Sequence, residues 1–234
     1  MPITEIRSNL YHLTVGAFQA YLWRDQDGVT LIDTAGVGAG PELAGLLGEV
    51  GIATTDVDRL VLTHFHGDHA GAAADVAAWG DVEVLAGEGD APIIRGEVAP
   101  PAPNLRSDAE RQMAARMLAD LPQAPPSRVD RELTDGVVLD IAGGAQVIAG
   151  PGHTEGSIGL FLTVPRVLFT GDTVAHFQDQ VLVGPFNLDT DRAVESFRLL
   201  AGFDADVACF GHGDPIVGNA HETLAAAAKN PITM

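Results

Sequence analysis

The feature that most constrains this chain is the run from Thr63 to His69, which reads Thr-His-Phe-His-Gly-Asp-His. Alternate side chains of an extended segment point to one side, so His64 and His66 share a face, and Asp68 and His69 follow where the chain turns. Imidazole and carboxylate groups are standard ligands of zinc and other first-row divalent ions. A polar surface loop would explain a single histidine but explains this cluster poorly. The run therefore predicts a metal site.

Three later segments share one design, in which an apolar strand delivers a potential ligand beside glycine. The segments are 147–153, 167–172 and 207–213, and their potential ligands are His153, Asp172 and His212. Strand ends are rigid and neighbouring strands end side by side, so residues distant in sequence can form one site. Each segment alone could be an ordinary turn. Together with the first run they supply five histidines and two aspartates, which is enough for two metal ions.

The rest of the chain alternates short apolar runs with helical patterns. The continuous apolar run Leu60 to Leu62 favours a strand that is covered on both faces. Helices are predicted from Asp68 to Gly80, from Asp191 to Leu200 and from His221 to Lys229. Runs of strands with helices at intervals are typical of an α/β or α+β sandwich.

Residues 99–127 have a different texture, with proline at both edges and a helical centre predicted from Ser107 to Leu121. Met113, Met117 and Leu118 lie on one side of that helix. We interpret the segment as a lid-like insertion within a single domain that spans residues 1–234. Its helix could cover the chain's own active site or a neighbouring subunit, which leaves a homo-oligomer open.

Composition excludes several classes of protein. The 13 Lys and Arg residues against 32 Asp and Glu residues give a formal charge of −19, which disfavours a nucleic-acid partner. No apolar window approaches the ~18 residues of a membrane span. Cys209 is the only cysteine, so no intrachain disulfide can form and a reducing cytoplasm is the expected compartment.

The HxHxDH run, His153, the Gly171-Asp172 pair and the final Gly211-His212-Gly213 together resemble the motif set of the metallo-β-lactamase superfamily. The resemblance runs from about Ile32 to Asp214 and implies an α/β fold, the four-layer αββα sandwich, with the activity of a metal-dependent hydrolase. It implies one ion held by His64, His66 and His153, a second held by Asp68, His69 and His212, and Asp172 between them. The superfamily's true β-lactamases often place cysteine where Asp172 stands. The chain is therefore more similar to the esterase, thioesterase and lactonase branches.

The expected cofactor is a pair of zinc ions, with iron or manganese as alternatives. Two adjacent cations lower the pKa of a water between them, so a metal-bridging hydroxide is the expected nucleophile. The small-molecule substrate is expected to be an ester, a thioester or a lactone. Asp68 is the candidate catalytic residue, placed to orient the attacking oxygen or to pass a proton to the leaving group.

Other functions remain open at the level of sequence. Persulfide dioxygenases of the same superfamily bind one iron through a subset of these ligands and are oxidoreductases. A phosphodiesterase that processes RNA is a second alternative, which the acidic composition disfavours. A third is a binding protein that keeps the fold without catalysis. Lactonases that open acyl-homoserine lactones carry tyrosine three residues after the bridging aspartate, where this chain has Ala175.

Four further residues are candidates for the substrate pocket because they lie in or near the predicted site loops: Phe65, His176, Phe177 and Phe186. Core packing explains the phenylalanines about as well, and an exposed loop explains the histidine. Asp33 is expected either to contact the metal site or to form a turn. His12 falls outside every motif and is predicted to be an ordinary surface residue.

Overall fold

Alternating apolar residues in the first half of the chain form a seven-stranded sheet. The computed structural model describes residues 2–117 and 121–233. The strands lie side by side in chain order: β1 (Ile3–Arg7), β2 (Leu10–Val15), β3 (Phe18–Asp25), β4 (Gly28–Ile32), β5 (Val57–Leu62), β6 (Glu83–Gly87) and β7 (Arg131–Leu133). β1 to β4 pair antiparallel, whereas β4 to β7 pair parallel because a longer connection separates each strand from the next.

The second half of the chain forms another sheet and a separate hairpin. Its strands are β8 (Val138–Leu139), β9 (Ala145–Ala149), β10 (Ile158–Leu162), β11 (Val167–Phe169), β12 (Val174–Phe177), β13 (Gln180–Val183), β14 (Val207–Cys209) and β15 (Ile216–Val217). The sheet has the order β15-β14-β11-β10-β9-β8, and β12 pairs with β13 alone. β11 and β14 are parallel, with Phe169 opposite Cys209, so both strands end at the same edge of the sheet.

Six α-helices lie in the described ranges. They are α1 (Gly40–Glu49), α2 (Ala73–Ala77), α3 (Ala91–Ile94), α4 (Asp108–Met117), α5 (Thr190–Leu200) and α6 (Ala220–Ala227). Among them, α1, α2, α5 and α6 cover the outer faces of the two sheets. α5 begins where Asp189 accepts hydrogen bonds from the backbone N–H groups of Asp191 and Arg192, which caps its first turn. None of the helices in the described ranges is long and apolar enough to cross a membrane.

The layers follow from the two-residue period of the strands. In β5, Leu60 and Leu62 face the α1 and α2 side of the first sheet, and Val61 between them faces the second sheet. In β11, Leu168 likewise faces α5 and α6, while Phe169 faces the first sheet. Each sheet is therefore buried on both faces, as the run at Leu60 to Leu62 predicts. The resulting order of helix, sheet, sheet and helix is the αββα sandwich, and the predicted fold class is confirmed.

Two helix predictions differ from the structure. The helix expected from Asp68 begins only at Ala73, because the N–H groups of His69 and Ala70 both bond to the carbonyl of His66 in a tight turn. The helix expected from Ser107 to Leu121 is observed as α4, and Leu121 itself is not helical. Leu118, which is predicted to lie on one side of this helix, is one of residues 118–120, and these lie outside the described ranges.

Candidate metal centre

Four strands deliver the candidate ligands to one edge of the sandwich. β5 leads to the run 63–69, and β9, β11 and β14 lead to His153, Asp172 and His212. Backbone hydrogen bonds join these strand ends. Thr170 N–H bonds to the Cys209 carbonyl at 2.9 Å within the second sheet, and Ile158 N–H bonds to the Thr63 carbonyl at 2.9 Å between the sheets. The fold therefore brings all seven predicted residues into one place.

The first group consists of His64, His66 and His153, whose potential ligand atoms lie within 4.8 Å of one another. Nε2 of His153 is 2.9 Å from Nδ1 of His66. The ring centroids of the three histidines are 4.7 to 4.8 Å apart, and each pair is nearly perpendicular. Three imidazoles that converge in this way can occupy three of the four ligand positions of a tetrahedral zinc site.

The second group consists of Asp68, His69 and His212, which also lie within 4.8 Å. Nε2 of His212 is 3.2 Å from a carboxylate oxygen of Asp68. Asp172 lies between the two groups, with Oδ2 at 3.3 Å from Nε2 of His212 and 3.7 Å from Nε2 of His153. Asp172 is thus the side chain that faces both groups.

Buried polar atoms without partners show that these residues fit a cation. Nε2 of His64 is buried and makes no hydrogen bond among the described residues, and Nε2 of His69 and Oδ1 of Asp172 face each other at 3.2 Å without good hydrogen-bond geometry. An unsatisfied buried polar group costs about 1–3 kcal/mol, so such atoms are rare in native proteins. Imidazole nitrogens and a carboxylate oxygen that converge in this way are suited to bind a divalent metal.

The pKa values of the histidines in the first group are lowered, which favours the neutral form of the imidazole. Burial, and then the neighbouring imidazoles, hold the pKa of His64 well below its ordinary value. Burial, with His153 beside it, lowers the pKa of His66 to about 3. Both rings are therefore neutral at pH 7, which is the form that binds a metal.

The second group is charged in the absence of a metal. The carboxylate of Asp172 is the main cause that raises the pKa of His212 to about 10. Burial alone would raise the pKa of Asp68, but the nearby His69 and His212 outweigh it and lower the value to about 2. A cation that replaces the imidazolium protons would keep the same charge balance.

Further residues orient the ligands through their second nitrogen. Nδ1 of His69 is 2.9 Å from Oδ2 of Asp33, and Thr63 donates to both oxygens of that carboxylate through its N–H at 2.8 Å and its hydroxyl at 2.7 Å. Nδ1 of His153 is 3.3 Å from Oδ1 of Asn187. Asp33 therefore contacts the site, which is the first of the two roles expected for it. A histidine ring that is held through one nitrogen presents its other nitrogen in a fixed direction.

Asp90 is a site residue that sequence reasoning missed. Its fully buried carboxylate accepts hydrogen bonds from Phe65 N–H at 3.0 Å, the Thr154 hydroxyl at 2.7 Å and Gly156 N–H at 2.8 Å. Phe65 lies between His64 and His66, and Thr154 follows His153. One carboxylate thus ties together the two segments that carry the first ligand group. Burial raises the pKa of Asp90 to about 6, against the opposing effect of these donors.

The four candidate pocket residues occupy different environments. Phe65 is buried in the core between the first sheet and the helices α1 and α2, with its ring 4.6 Å from that of His66. His176 is half-buried beside the second ligand group, where its N–H bonds to the His212 carbonyl at 3.1 Å. Phe177 is 58% exposed at the end of β12, and Phe186 is half-buried with a φ of 61°. His176 and Phe177 are the two that border an open cavity of about 280 Å³.

The segment 99–127, which is predicted to be an insertion, contacts the candidate site at two points. Asn104 N–H bonds at 3.0 Å to the carbonyl of Asn187, the residue that contacts His153. At the second point, Pro122 and Ala124 pack against Gly67 so closely that a methyl group on Gly67 would collide with the Pro122 carbonyl. The described residues of this segment therefore contact both the segment that carries Asn187 and the run 63–69.

Comparisons with known proteins agree with this geometry. The sequence profile of the metallo-beta-lactamase superfamily matches residues 13–212. A curated relative from Bacillus subtilis (strain 168), the probable metallo-hydrolase YflN, is 35% identical over 178 residues. That alignment covers 68% of this chain and 65% of the relative, so it spans just under two thirds of the relative's length.

Solved structures match over nearly the whole chain. The subclass B3 metallo-beta-lactamase BJP-1 of Bradyrhizobium japonicum has a TM-score of 0.74 at 20% identity and is aligned over 98% of this chain and 91% of its own. A metallo-beta-lactamase family protein from Thermus thermophilus has a TM-score of 0.69 at 25% identity, over 96% and 80%. These structures support the fold, and the curated relative is itself named a probable metallo-hydrolase. On the match of the family profile, the chain belongs to the metallo-beta-lactamase superfamily.

Proposed function

We propose that the protein is a dinuclear zinc hydrolase that cleaves a small ester, thioester or lactone. The observation that carries the proposal is the convergence of two ligand groups on Asp172, beside a buried Nε2 atom of His64 that has no hydrogen-bond partner among the described residues. We assign His64, His66 and His153 to the first ion, Asp68, His69 and His212 to the second, and Asp172 to both. Zinc is the preferred metal because imidazole and carboxylate ligands suit it, and iron and manganese are the alternatives that metal analysis would reveal.

Two zinc ions held there would supply a deprotonated water at neutral pH and would polarise a substrate carbonyl. The chain's own residues then have distinct tasks. Asp68 is 13% exposed and lies 3.2 Å from His212, so its carboxylate can orient the attacking group or pass a proton to the leaving group. His69 and His153 stay fixed because Asp33 and Asn187 hold their second nitrogens.

The surroundings of the site support a small, largely uncharged substrate. The exposed ring of Phe177 and the half-buried ring of His176 offer aromatic surface for a largely uncharged small molecule, and Phe65 and Phe186 are the other residues we assign to the pocket. The insertion 99–127 would cover the bound substrate, since it contacts Asn187 beside His153 and Gly67 within the histidine run. The charge of −19 disfavours polyanions such as RNA as substrates.

Two further proposals concern the compartment and the oligomeric state. We propose that the protein works in the cytoplasm, because a reducing compartment suits a chain that cannot form an intrachain disulfide. A homo-oligomer would bury the exposed side of α4, where Met117 is 58% exposed.

The central test joins metal analysis with hydrolysis. Protein purified without added metal is expected to contain two zinc ions per chain and to hydrolyse members of a panel of esters, thioesters and lactones. Chelation should abolish that activity and zinc should restore it. Asp172→Asn should lose both activity and metal, whereas Asp204→Asn, an exposed carboxylate paired with Arg166 away from the site, should retain both.

Other outcomes would replace the proposal. One iron per chain would favour the mononuclear oxidoreductase, and cleavage of a model phosphodiester without ester hydrolysis would favour the phosphodiesterase. Zinc binding without turnover of any panel member or phosphodiester would favour a binding protein.

A further inference from the structure

The turn that carries His212 leaves the second sheet and rests on a side chain from the first. Gln19, on β3, places its Nε2 at 2.7 Å from the Phe210 carbonyl and at 3.0 Å from the Gly213 carbonyl. These two carbonyls flank the Gly211-His212 pair on either side. A single amide group therefore holds both ends of the turn.

A neighbouring hydroxyl strengthens this contact. Tyr21 lies two residues further along β3, on the same face, and is fully buried. Its hydroxyl donates to the Phe210 carbonyl at 2.9 Å and lies 3.1 Å from Nε2 of Gln19, whose two protons are shared among this hydroxyl and the two carbonyls. His12, on β2, stacks on the Tyr21 ring at 5.2 Å and places Nε2 at 3.1 Å from Oε1 of Gln19. Both ends of the Gln19 amide are thus engaged, which fixes its orientation.

These contacts connect the two halves of the second ligand group. Backbone bonds from Gly211 N–H to the Gly171 carbonyl at 3.0 Å, and from His176 N–H to the His212 carbonyl at 3.1 Å, tie the turn to its own half of the chain. The other ligands of that group, Asp68 and His69, follow β5 in the first sheet. Gln19 and Tyr21 tie the turn to that sheet, and so they set the distance between His212 and Asp68.

We propose that Gln19, assisted by Tyr21, is a positioning residue that holds His212 in place for the second metal ion. The inference rests on the proposed function, because His212 is a ligand only if the chain binds two ions. Partners that orient metal ligands from outside the ligand set typically change metal affinity by about 10- to 100-fold when they are removed. The first ligand group makes none of these contacts and should be unaffected.

The test compares the two ions within each variant. Gln19→Leu removes the amide and leaves a branched apolar side chain that is one atom shorter, while Tyr21→Phe removes only the hydroxyl. Thr14→Val is the matched control, because Thr14 is exposed and pairs with Gln19 across β2 and β3. Zinc affinity is measured by competition with a chromogenic chelator, the cobalt(II) absorption spectrum reports ligand geometry, and thermal unfolding of the chelated proteins reports folding.

Gln19→Leu should weaken the second ion by about 10- to 100-fold and alter the cobalt spectrum, with the first ion unchanged. Tyr21→Phe should have a smaller effect in the same direction, and the control should match the wild-type protein. Two equally tight ions in Gln19→Leu, or equal weakening of both ions, would overturn the inference and leave the proposed function standing. A wild-type protein that binds no second ion would instead overturn the proposed function.

Discussion

Gly211 offers the sharpest test of the shared carboxylate because it has almost no free space around it. Its backbone lies outside the left-handed region, so alanine would add a methyl group without backbone strain. That methyl would lie 2.7 Å from Cε1 of His69 and 3.1 Å from Cγ of Asp172, and closer still to Oδ1 of Asp172. Ordinary contacts begin at 3.4 Å, so His69 would have to retreat by about 0.7 Å, and the carboxylate by more.

We expect Gly211→Ala to lower kcat/KM about 100-fold, because a displacement near 1 Å in an active site has a cost of that order. The zinc content after dialysis should fall below two ions per chain. The assay is hydrolysis of the best ester or lactone of the panel, with metal analysis on the same samples. Gly45→Ala on α1, where a methyl meets nothing within 4 Å, is the matched control. Two zinc ions and unchanged kcat/KM in Gly211→Ala would refute the close packing of ligands around Asp172.

Three further predictions concern stability and reactivity. Burial raises the pKa of Asp90 to about 6, so the folded state binds more protons than the unfolded state between pH 4 and 6; its stabilising contribution is complete below that window and is lost as pH rises through it. Urea unfolding of the chelated protein should show this loss in the wild type and not in Asp90→Asn, and equal pH slopes would contradict it. Burial also raises the pKa of Cys209, so a thiol reagent at pH 8 should react only after unfolding, and rapid labelling of the native protein would count against that burial. Gly45→Ala should raise the free energy of unfolding by about 0.5–1 kcal/mol, because glycine is a poor helix former at an exposed position, and a loss of stability would be the contrary result.

The gathering of the seven candidate ligands could be predicted because each follows a local pattern. An apolar strand precedes the run 63–69 and each later ligand, and parallel strands such as β11 and β14 end at one edge. The order of layers could not be read from those patterns alone, and the resemblance to a known family supplied it. Alternation within Leu60 to Leu62 then explains why both faces of β5 are covered.

Contacts between distant parts of the chain escaped prediction because no local pattern marks them. His12 was predicted to be an ordinary surface residue, and that prediction is wrong: it is half-buried and stacks on Tyr21. Its neighbour Gln19 meets Phe210, which lies 191 residues further along the chain. The β12–β13 hairpin was missed for a different reason. Its turn residues, Gln178 and Asp179, adopt positive φ without the Asn-Gly or Asp-Gly signal that usually marks such a turn.

The division of the ligands between the two sheets has a mechanical consequence. Four of the seven follow β5 in one sheet, and the other three follow strands of the opposite sheet. Ions bound between them would act as removable cross-links in a chain that cannot form a disulfide bond of its own. Free zinc should therefore raise the melting temperature in proportion to the logarithm of its concentration above the dissociation constant. The same metal ions would then both take part in hydrolysis and stabilise the contact between the two sheets.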